Sequence, residues 1–467
     1  MVQKFARKET MNPVSLFLRI VPLGSGISLF GGVLGVACVG LFKKINVGLV
    51  RVLGLLSLTL AAAFVFLHPV NGTISTLLQA DPLTKAWCGV FYAGALPFFI
   101  AGTWTDEVSV LLLLGSLLGM TFLVFSANLF MLFISLELLS LPVYLLVALN
   151  PAKGQPSWEA AIKYFFAGSV SAAFFLLGLA CHYSATGGFA FAGNGSFLDQ
   201  AAFSLMAIAA LFKIGAVPWH FWLPDVYEAS EPMLSGFLST SVKAAGVFLL
   251  MRLGQYSQAS FVSLLPAIGA FTMIFAAFAA LNQTRLQRLL AYSSLGHAGV
   301  LVLGVGAWLL LGANEKNALP IFFYLFSYVL MSNGAFFFLE LTGVSEWKDL
   351  RGLGKTRPVL AFCFATLALS LAGIPPTAGF LAKFLIFWQA FKAGLYVPLV
   401  VASFATLAAL VYYLRIVREI YLEEGVANSK IAVGTGAVSL VVSLSAAYSA
   451  VVGFLPWILA AFQRVLG

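Results

Sequence analysis

The stretch Phe212-Lys213-Ile214-Gly215-Ala216-Val217-Pro218-Trp219-His220-Phe221-Trp222-Leu223-Pro224-Asp225 sets a lysine inside an apolar run, five residues before a proline. A second stretch, Gly373-Ile374-Pro375-Pro376-Thr377-Ala378-Gly379-Phe380-Leu381-Ala382-Lys383, repeats the pairing of a proline break with a buried-looking lysine. A charge at bilayer depth costs about 2.5–3.5 kcal/mol on insertion scales. A proline removes a helical hydrogen bond and leaves a carbonyl unsatisfied. Something must compensate for both features. Hydrated, broken helices that carry protonatable groups do so, and the chemistry they suit is ion movement.

The same filter, a charge inside an apolar run, selects Glu137, Lys163, Lys213, Lys243 and Lys383, with His297 as a further titratable group. Together they would cost on the order of 10 kcal/mol if unpaired, comparable to the net stability of a fold. They must pair, line hydrated cavities or lose charge. Glu137 has no cation in its own segment, and Lys213 is the best partner for it. That pair is either a switch for proton affinity or a structural lock between two helices. Lys213 and His220 are seven residues apart and are therefore expected to share a helical face. Trp219 and Trp222 read as an interfacial aromatic belt, which His220 either anchors or supplements as a proton carrier. Lys243 lies about ten residues from either end of its span, among Ser239, Thr240 and Ser241, too deep for easy snorkelling. Lys163 is near a span end, where snorkelling and function are both open. His297 is either a relay between the lysine sites or a satisfied core histidine.

The elements that position these groups follow from composition. The chain has 467 residues, 61% hydrophobic and only 9% charged, which describes a polytopic membrane protein. Apolar runs give about fourteen spans at ~20 residues each. The seventh falls near 200–223, the eighth near 233–253 and the twelfth near 358–389. The fold class is all-α, one transmembrane domain over 1–467. It divides into N-terminal helices (1–106), a first repeat (107–253), a second repeat (260–421) and a C-terminal helix (431–462). Spans seven and twelve carry the two breaks five spans apart, and an odd offset inverts topology. Spans four to eight and nine to thirteen are therefore expected to form two inverted five-helix repeats.

Loop cations orient the chain. Lys43, Lys44, Arg51, Lys153, Arg285, Arg288, Lys348, Arg351, Lys355, Arg357, Arg415, Arg418 and Lys430 follow odd-numbered spans, and only Lys85, Arg252, Lys316 and Lys392 follow even-numbered ones. The first set should face the cytoplasm, although the basic tail at Lys4, Arg7 and Lys8 argues the other way. The net charge of +9 then reflects topology, and nucleic acid is not an expected partner. Gly352-Leu353-Gly354-Lys355-Thr356 resembles the end of a phosphate loop, but Asp349 stands where that motif needs glycine. The four cysteines are scattered without a C-x-x-C pair, so no metal or iron–sulfur site is expected. Gly31-x-x-x-Gly35 and Gly115-x-x-x-Gly119 read as helix-packing motifs.

These motifs resemble a known family, the antiporter-like membrane subunits of respiratory complex I (proton-translocating NADH:quinone oxidoreductase). The resemblance rests on Phe212-Lys213-x-Gly215-x-x-Pro218-x-His220-x-Trp222-x-Pro224-Asp225-Val226-Tyr227, on Arg288-Leu289-Leu290-Ala291-Tyr292-Ser293-Ser294, and on Gly373-Ile374-Pro375-Pro376-Thr377-Ala378-Gly379-Phe380-x-x-Lys383. Asp225-Val226-Tyr227 and Ile162-Lys163-Tyr164-Phe165 point to the subunit N type, the homologue of mitochondrial subunit 2. The similarity spans roughly residues 107–420.

The resemblance implies a multi-pass protein of the bacterial inner membrane that moves protons, driven by quinone reduction elsewhere in the complex. It implies an ion pair of Glu137 with Lys213, a central relay at Lys243, a broken-helix site at Lys383 and an extra lysine at Lys163. The reading adds His297 between the lysines, with His220 as a further candidate. No cofactor is expected in this chain; NADH, FMN, iron–sulfur clusters and quinone would sit in partner subunits. The implied partners are the neighbouring subunit M, the small subunit K, the lateral helix of subunit L and the lipid bilayer. The alternatives are a subunit of a multisubunit cation/proton antiporter, or a scaffold whose buried charges only hold helices together.

Overall fold

A computed structural model describes residues 13–40, 47–67, 72–73, 77–101, 107–152, 157–256, 260–424 and 436–466. Lys4, Arg7, Lys8, Lys43, Lys44, Lys153 and Lys430, which entered the orientation argument, lie outside the described residues.

The elements run in order as α1 (Pro13–Gly40), α2 (Val47–Leu67), α3 (Thr84–Ala101), α4 (Glu107–Phe125), α5 (Leu129–Leu149), α6 (Ser157–Thr186), α7 (Phe197–Ile214), α8 (Leu223–Ala229), α9 (Pro232–Phe237), a π-helical turn (Leu238–Val242), α10 (Lys243–Tyr256), α11 (Leu265–Leu281), α12 (Leu286–Leu310), α13 (Glu315–Thr342), α14 (Leu353–Thr356), α15 (Pro358–Ala372), α16 (Ala378–Lys392), α17 (Tyr396–Tyr421) and α18 (Gly436–Leu466). Among the described residues, eleven helices are long and apolar enough to cross a membrane. The only strands described are the two-residue pairs Gly72–Thr73 and Gln79–Ala80. This is the all-helical, polytopic architecture that the composition demands.

Every residue from Met233 to Gly254 is buried, and α12 and α13 are largely so. They form the centre. The outer helices turn apolar side chains outward instead; α17 exposes Val397, Val400, Phe404, Leu407 and Val411. In hydrocarbon that is the ordinary arrangement, because lipid tails solvate such side chains. Helices close on one another through small residues. A methyl at Gly119 on α4 would stand 2.3 Å from the Leu139 amide nitrogen of α5, so only glycine permits that approach. At the other expected packing motif, nothing among the described residues lies within 4 Å of a Cβ at Gly31 or Gly35, so it makes no close contact inside this bundle.

The two breaks share one local design. Helix α7 ends at Gly215 in the left-handed region (φ 82°), whose N–H donates to the carbonyls of Leu211 and Phe212, both at 3.0 Å. Helix α15 ends at Gly373 (φ 84°), donating to Leu369 (3.1 Å) and Ser370 (3.0 Å). In both, the next residue donates back to the carbonyl four before the glycine, Ala216 to Leu211 and Ile374 to Leu369. Both then carry a cis peptide bond before proline, Val217–Pro218 and Pro375–Pro376. The two breaks are the discontinuities expected at Pro218 and Pro376; the shared helical face expected for Lys213 and His220 is corrected, because α7 ends at Gly215 between them. The glycines take a conformation that costs other residues about 1–2 kcal/mol, so the chain can leave the helix with its last carbonyls partly satisfied.

Candidate functional site

Lys213 occupies the last turn of α7 and is buried. Its ammonium lies over the rings of Tyr144 (5.3 Å to the centroid) and Tyr164 (5.7 Å). The negative end of the α7 dipole and two aromatic faces hold the cation. Tyr164 stacks in turn on Trp222 (4.3 Å between centroids), whose indole N–H donates to the Phe212 carbonyl at 3.3 Å. Trp222 is therefore a buried part of the break and no member of an interfacial belt. Glu137, half-buried on α5, is close enough to Lys213 for electrostatic coupling, yet the two form no ion pair within 4.0 Å.

Lys243 begins α10, directly after the π-helical turn, and is buried. Its ammonium donates to the carbonyl (2.5 Å) and the hydroxyl (2.6 Å) of Ser294 on α12. The Tyr328 hydroxyl donates to the same Ser294 oxygen at 2.9 Å. His297, one turn further along α12, lies with its ring centroid 4.8 Å from that of Tyr328, and its Nδ1 is 2.6 Å from the Tyr324 hydroxyl.

Lys383 lies on α16, after the second break, and reaches back to donate to the carbonyls of Leu371 (2.8 Å) and Ala372 (2.9 Å). Those are carbonyls that the end of α15 leaves without helical partners. The His297 ring also approaches the Leu371 carbonyl. A cavity of about 20 Å³, lined in part by Ser293, His297, Lys383, Tyr412 and Tyr413, adjoins this lysine. That is room for about one water with several polar partners. Hydrogen bonds join Lys243, Ser294 and Tyr328, the Tyr328 and His297 rings are neighbours, and His297 and Lys383 both approach the Leu371 carbonyl.

The remaining sequence candidates lie apart from this line. Lys163 sits at a surface end, half exposed, and bridges Glu159 (2.9 Å) and Asp225 (3.2 Å). His220 packs on Phe275 (4.6 Å between centroids), and its Nδ1 has no hydrogen-bond partner among the described residues.

The structure also assembles groups that the charge filter passed over. Asp225 and Arg288, each in a quoted motif, pair at 2.9 Å; Arg288 further holds Glu228 at 2.6 Å, and Arg285 holds Glu228 at 2.7 Å. This network ties α6, α8 and α12 together at one end of the bundle. At the end of α6, His182 is fully buried, with Nδ1 2.8 Å from the Asp199 carboxylate and Nε2 2.8 Å from the Ala190 carbonyl. The pair holds the loop between α6 and α7. A run of buried tyrosines, Tyr144, Tyr164, Tyr227, Tyr324, Tyr328, Tyr412 and Tyr413, accompanies the lysines; a search for hydroxyls in apolar spans would have found it.

Residues 126–409 match the family described as NADH:quinone oxidoreductase/Mrp antiporter, TM. Among curated proteins, the chain is 35% identical over 337 residues to NADH-quinone oxidoreductase subunit N 2 of Acidobacterium capsulatum, covering 67% of each. It is 33% identical over 436 residues to subunit N 1 of Chloroherpeton thalassium, covering 87% of this chain and 90% of that one. Among solved structures, a chain of respiratory complex I from Thermus thermophilus superposes with a TM-score of 0.83 at 31% identity, over 92% of this chain and 97% of the other. A chain of the Mrp complex from Dietzia sp. shares the fold, with a TM-score of 0.78 at 18% identity over 95% of both chains. With the broken helices, their buried lysines and these likenesses together, the chain belongs to the antiporter-like membrane subunits of NADH:quinone oxidoreductase, as a multi-pass membrane protein of the subunit N type.

Proposed function

We propose that this subunit carries protons across the membrane, with quinone reduction elsewhere in the complex as the driving reaction. The observation that carries this reading is the line of buried polar groups from Lys243 through Ser294, Tyr328 and His297 to Lys383. Glu137 acts at one end: movement at a neighbouring subunit changes its distance from Lys213 and so the proton affinity of that lysine. The proton then passes by Lys243 and His297 to Lys383 and leaves on the outer side. The chain performs no electron transfer of its own; NADH, FMN, iron–sulfur clusters and quinone belong to partner subunits. Subunits M and K and the lateral helix of subunit L are the neighbours this role requires.

Alanine at Lys213 or Lys243, in complex assembled in inverted membrane vesicles, tests the reading. Proton pumping should fall while assembly on a native gel is unchanged. Pumping at the wild-type rate in either variant would show that the buried lysines are scaffolding.

A further inference from the structure

One section of the line is missing. Lys243 and Lys383 are linked through Ser294, Tyr328, the ring of His297 and the Leu371 carbonyl, but no hydrogen bond joins Lys213 to Lys243 among the described residues. Helices α7 and α10 are nevertheless in close contact there: a methyl at Gly246, one turn beyond Lys243, would stand 3.1 Å from the Lys213 Cβ. The two amines must exchange protons past this contact.

Two tyrosines occupy the space on its flank. Tyr164, from α6, lies under Lys213 and against Trp222. Tyr227, from α8, stands beyond Trp222 (6.4 Å between centroids), with the Ser294 hydroxyl beside its own. The two are near enough to be electrostatically coupled, and Tyr227 is coupled in turn to Tyr328. Both side chains are completely buried, and neither hydroxyl makes a hydrogen bond among the described residues. A buried hydroxyl left unsatisfied costs about 1–3 kcal/mol, and phenylalanine would fill the same volume without that cost. Two such tyrosines in series, one against Lys213 and the other beside the Ser294 that seats Lys243, call for another explanation than packing.

We infer that Tyr164 and Tyr227, with ordered water on their free hydroxyls, form the proton bridge between Lys213 and Lys243. The inference rests on the proton-carrying reading above. In each transfer the Lys213 ammonium gives up one N–H proton. Each hydroxyl or water along the bridge accepts one proton and releases another, and Ser294 passes the last to the neutral Lys243 amine. Lys213 ends neutral and Lys243 ends as the ammonium. Only N–H and O–H bonds change, so no oxidant or reductant is involved. Tyrosine suits the position because its hydroxyl both donates and accepts, while the ring holds that oxygen at the end of a rigid arm.

The test uses the assembled complex in inverted vesicles with Tyr164→Phe, Tyr227→Phe and the double variant, beside Lys243→Ala. Phenylalanine keeps the ring against Trp222 and removes only the orphaned oxygen. The double variant is expected to assemble normally and to pass electrons to an artificial acceptor at the wild-type rate. Its proton pumping should drop about tenfold or more, with a smaller loss in each single variant. If the double variant does not assemble, Tyr227→Phe alone decides by the same readout. Wild-type pumping in the tyrosine variants with pumping lost in Lys243→Ala overturns the bridge and leaves the relay standing. Wild-type pumping in all of them overturns both.

Discussion

Gly373→Ala probes how the second break seats its lysine. The substitution has two separable costs. Alanine at φ 84° is strained by about 1–2 kcal/mol. Its new Cβ would also lie 3.0 Å from the Lys383 Cδ and 3.4 Å from Nζ, so the lysine has to move away from the Leu371 and Ala372 carbonyls. A hydrogen bond to a charged group contributes about 1.5–3 kcal/mol, so weakening this seat adds roughly that amount for each bond lost. Gly343 supplies the control. It also has positive φ, 65°, at the end of α13, but nothing lies within 4 Å of an added Cβ. Gly343→Ala should therefore show only the backbone strain, a small loss in thermal stability with pumping intact. Gly373→Ala should lose more stability and cut quinone-driven proton pumping about tenfold, since 1.4 kcal/mol is a factor of ten. Thermal unfolding of the purified complex and pumping in inverted vesicles measure the two effects. Equal pumping in the two variants would refute the argument that the Lys383 seat matters to transfer.

Packing and surface charge give two more tests. Gly119→Val would force a side chain into the Leu139 backbone and should prevent stable accumulation of the complex. Gly35→Val, with open space around it in this chain, should leave the subunit's own fold intact; native gels of membrane extracts compare the two. Asp225→Asn, Arg288→Gln and their combination make a double-mutant cycle across the network at the end of the bundle. Both side chains are about a third exposed, so solvent screens the pair and a coupling of about 1 kcal/mol is expected from unfolding in detergent. Coupling near zero would mean that the motif residues are not acting on each other.

Much of this arrangement was legible in the chain because the bilayer makes charge conspicuous. Lys213, Lys243 and Lys383 stand out in apolar runs, and all three are buried in the bundle. Pro218 and Pro376 likewise announce breaks, and the glycines before them locate the helix ends to the residue. Three things were not legible. Proximity between helices is one: Glu137 is a reasonable partner for Lys213 by elimination, but a spacing rule cannot tell coupling at a distance from an ion pair. Trp222 is another, since an aromatic beside a span end reads as an interfacial anchor, and only the turn after Gly215 carries it inward to the Phe212 carbonyl. The tyrosines are the third. A hydroxyl in an apolar run costs far less than a charge, so a filter tuned to charge passes over it.

The two breaks are alike, but their lysines are not equivalent. Counted from the capping glycines, Lys213 lies two residues before its break and Lys383 ten residues after its own. They therefore stand at different places relative to their breaks, although both serve a half-helix in the same way. Lys213 lies in the last turn of α7, and Lys383 returns across the gap to the last carbonyls of α15. Each places a positive charge at the negative end of a half-helix dipole. Lys243 solves the same problem with the Ser294 carbonyl and hydroxyl. None of the three amines has a carboxylate within 4.0 Å among the described residues. A proton held by fixed neutral dipoles and aromatic faces can leave without stranding a buried counter-ion, which a tight carboxylate pair would not allow. The half-helices thus support charge at these positions without locking it there, and in the proposed relay the distant Glu137 carboxylate tunes one end of the line.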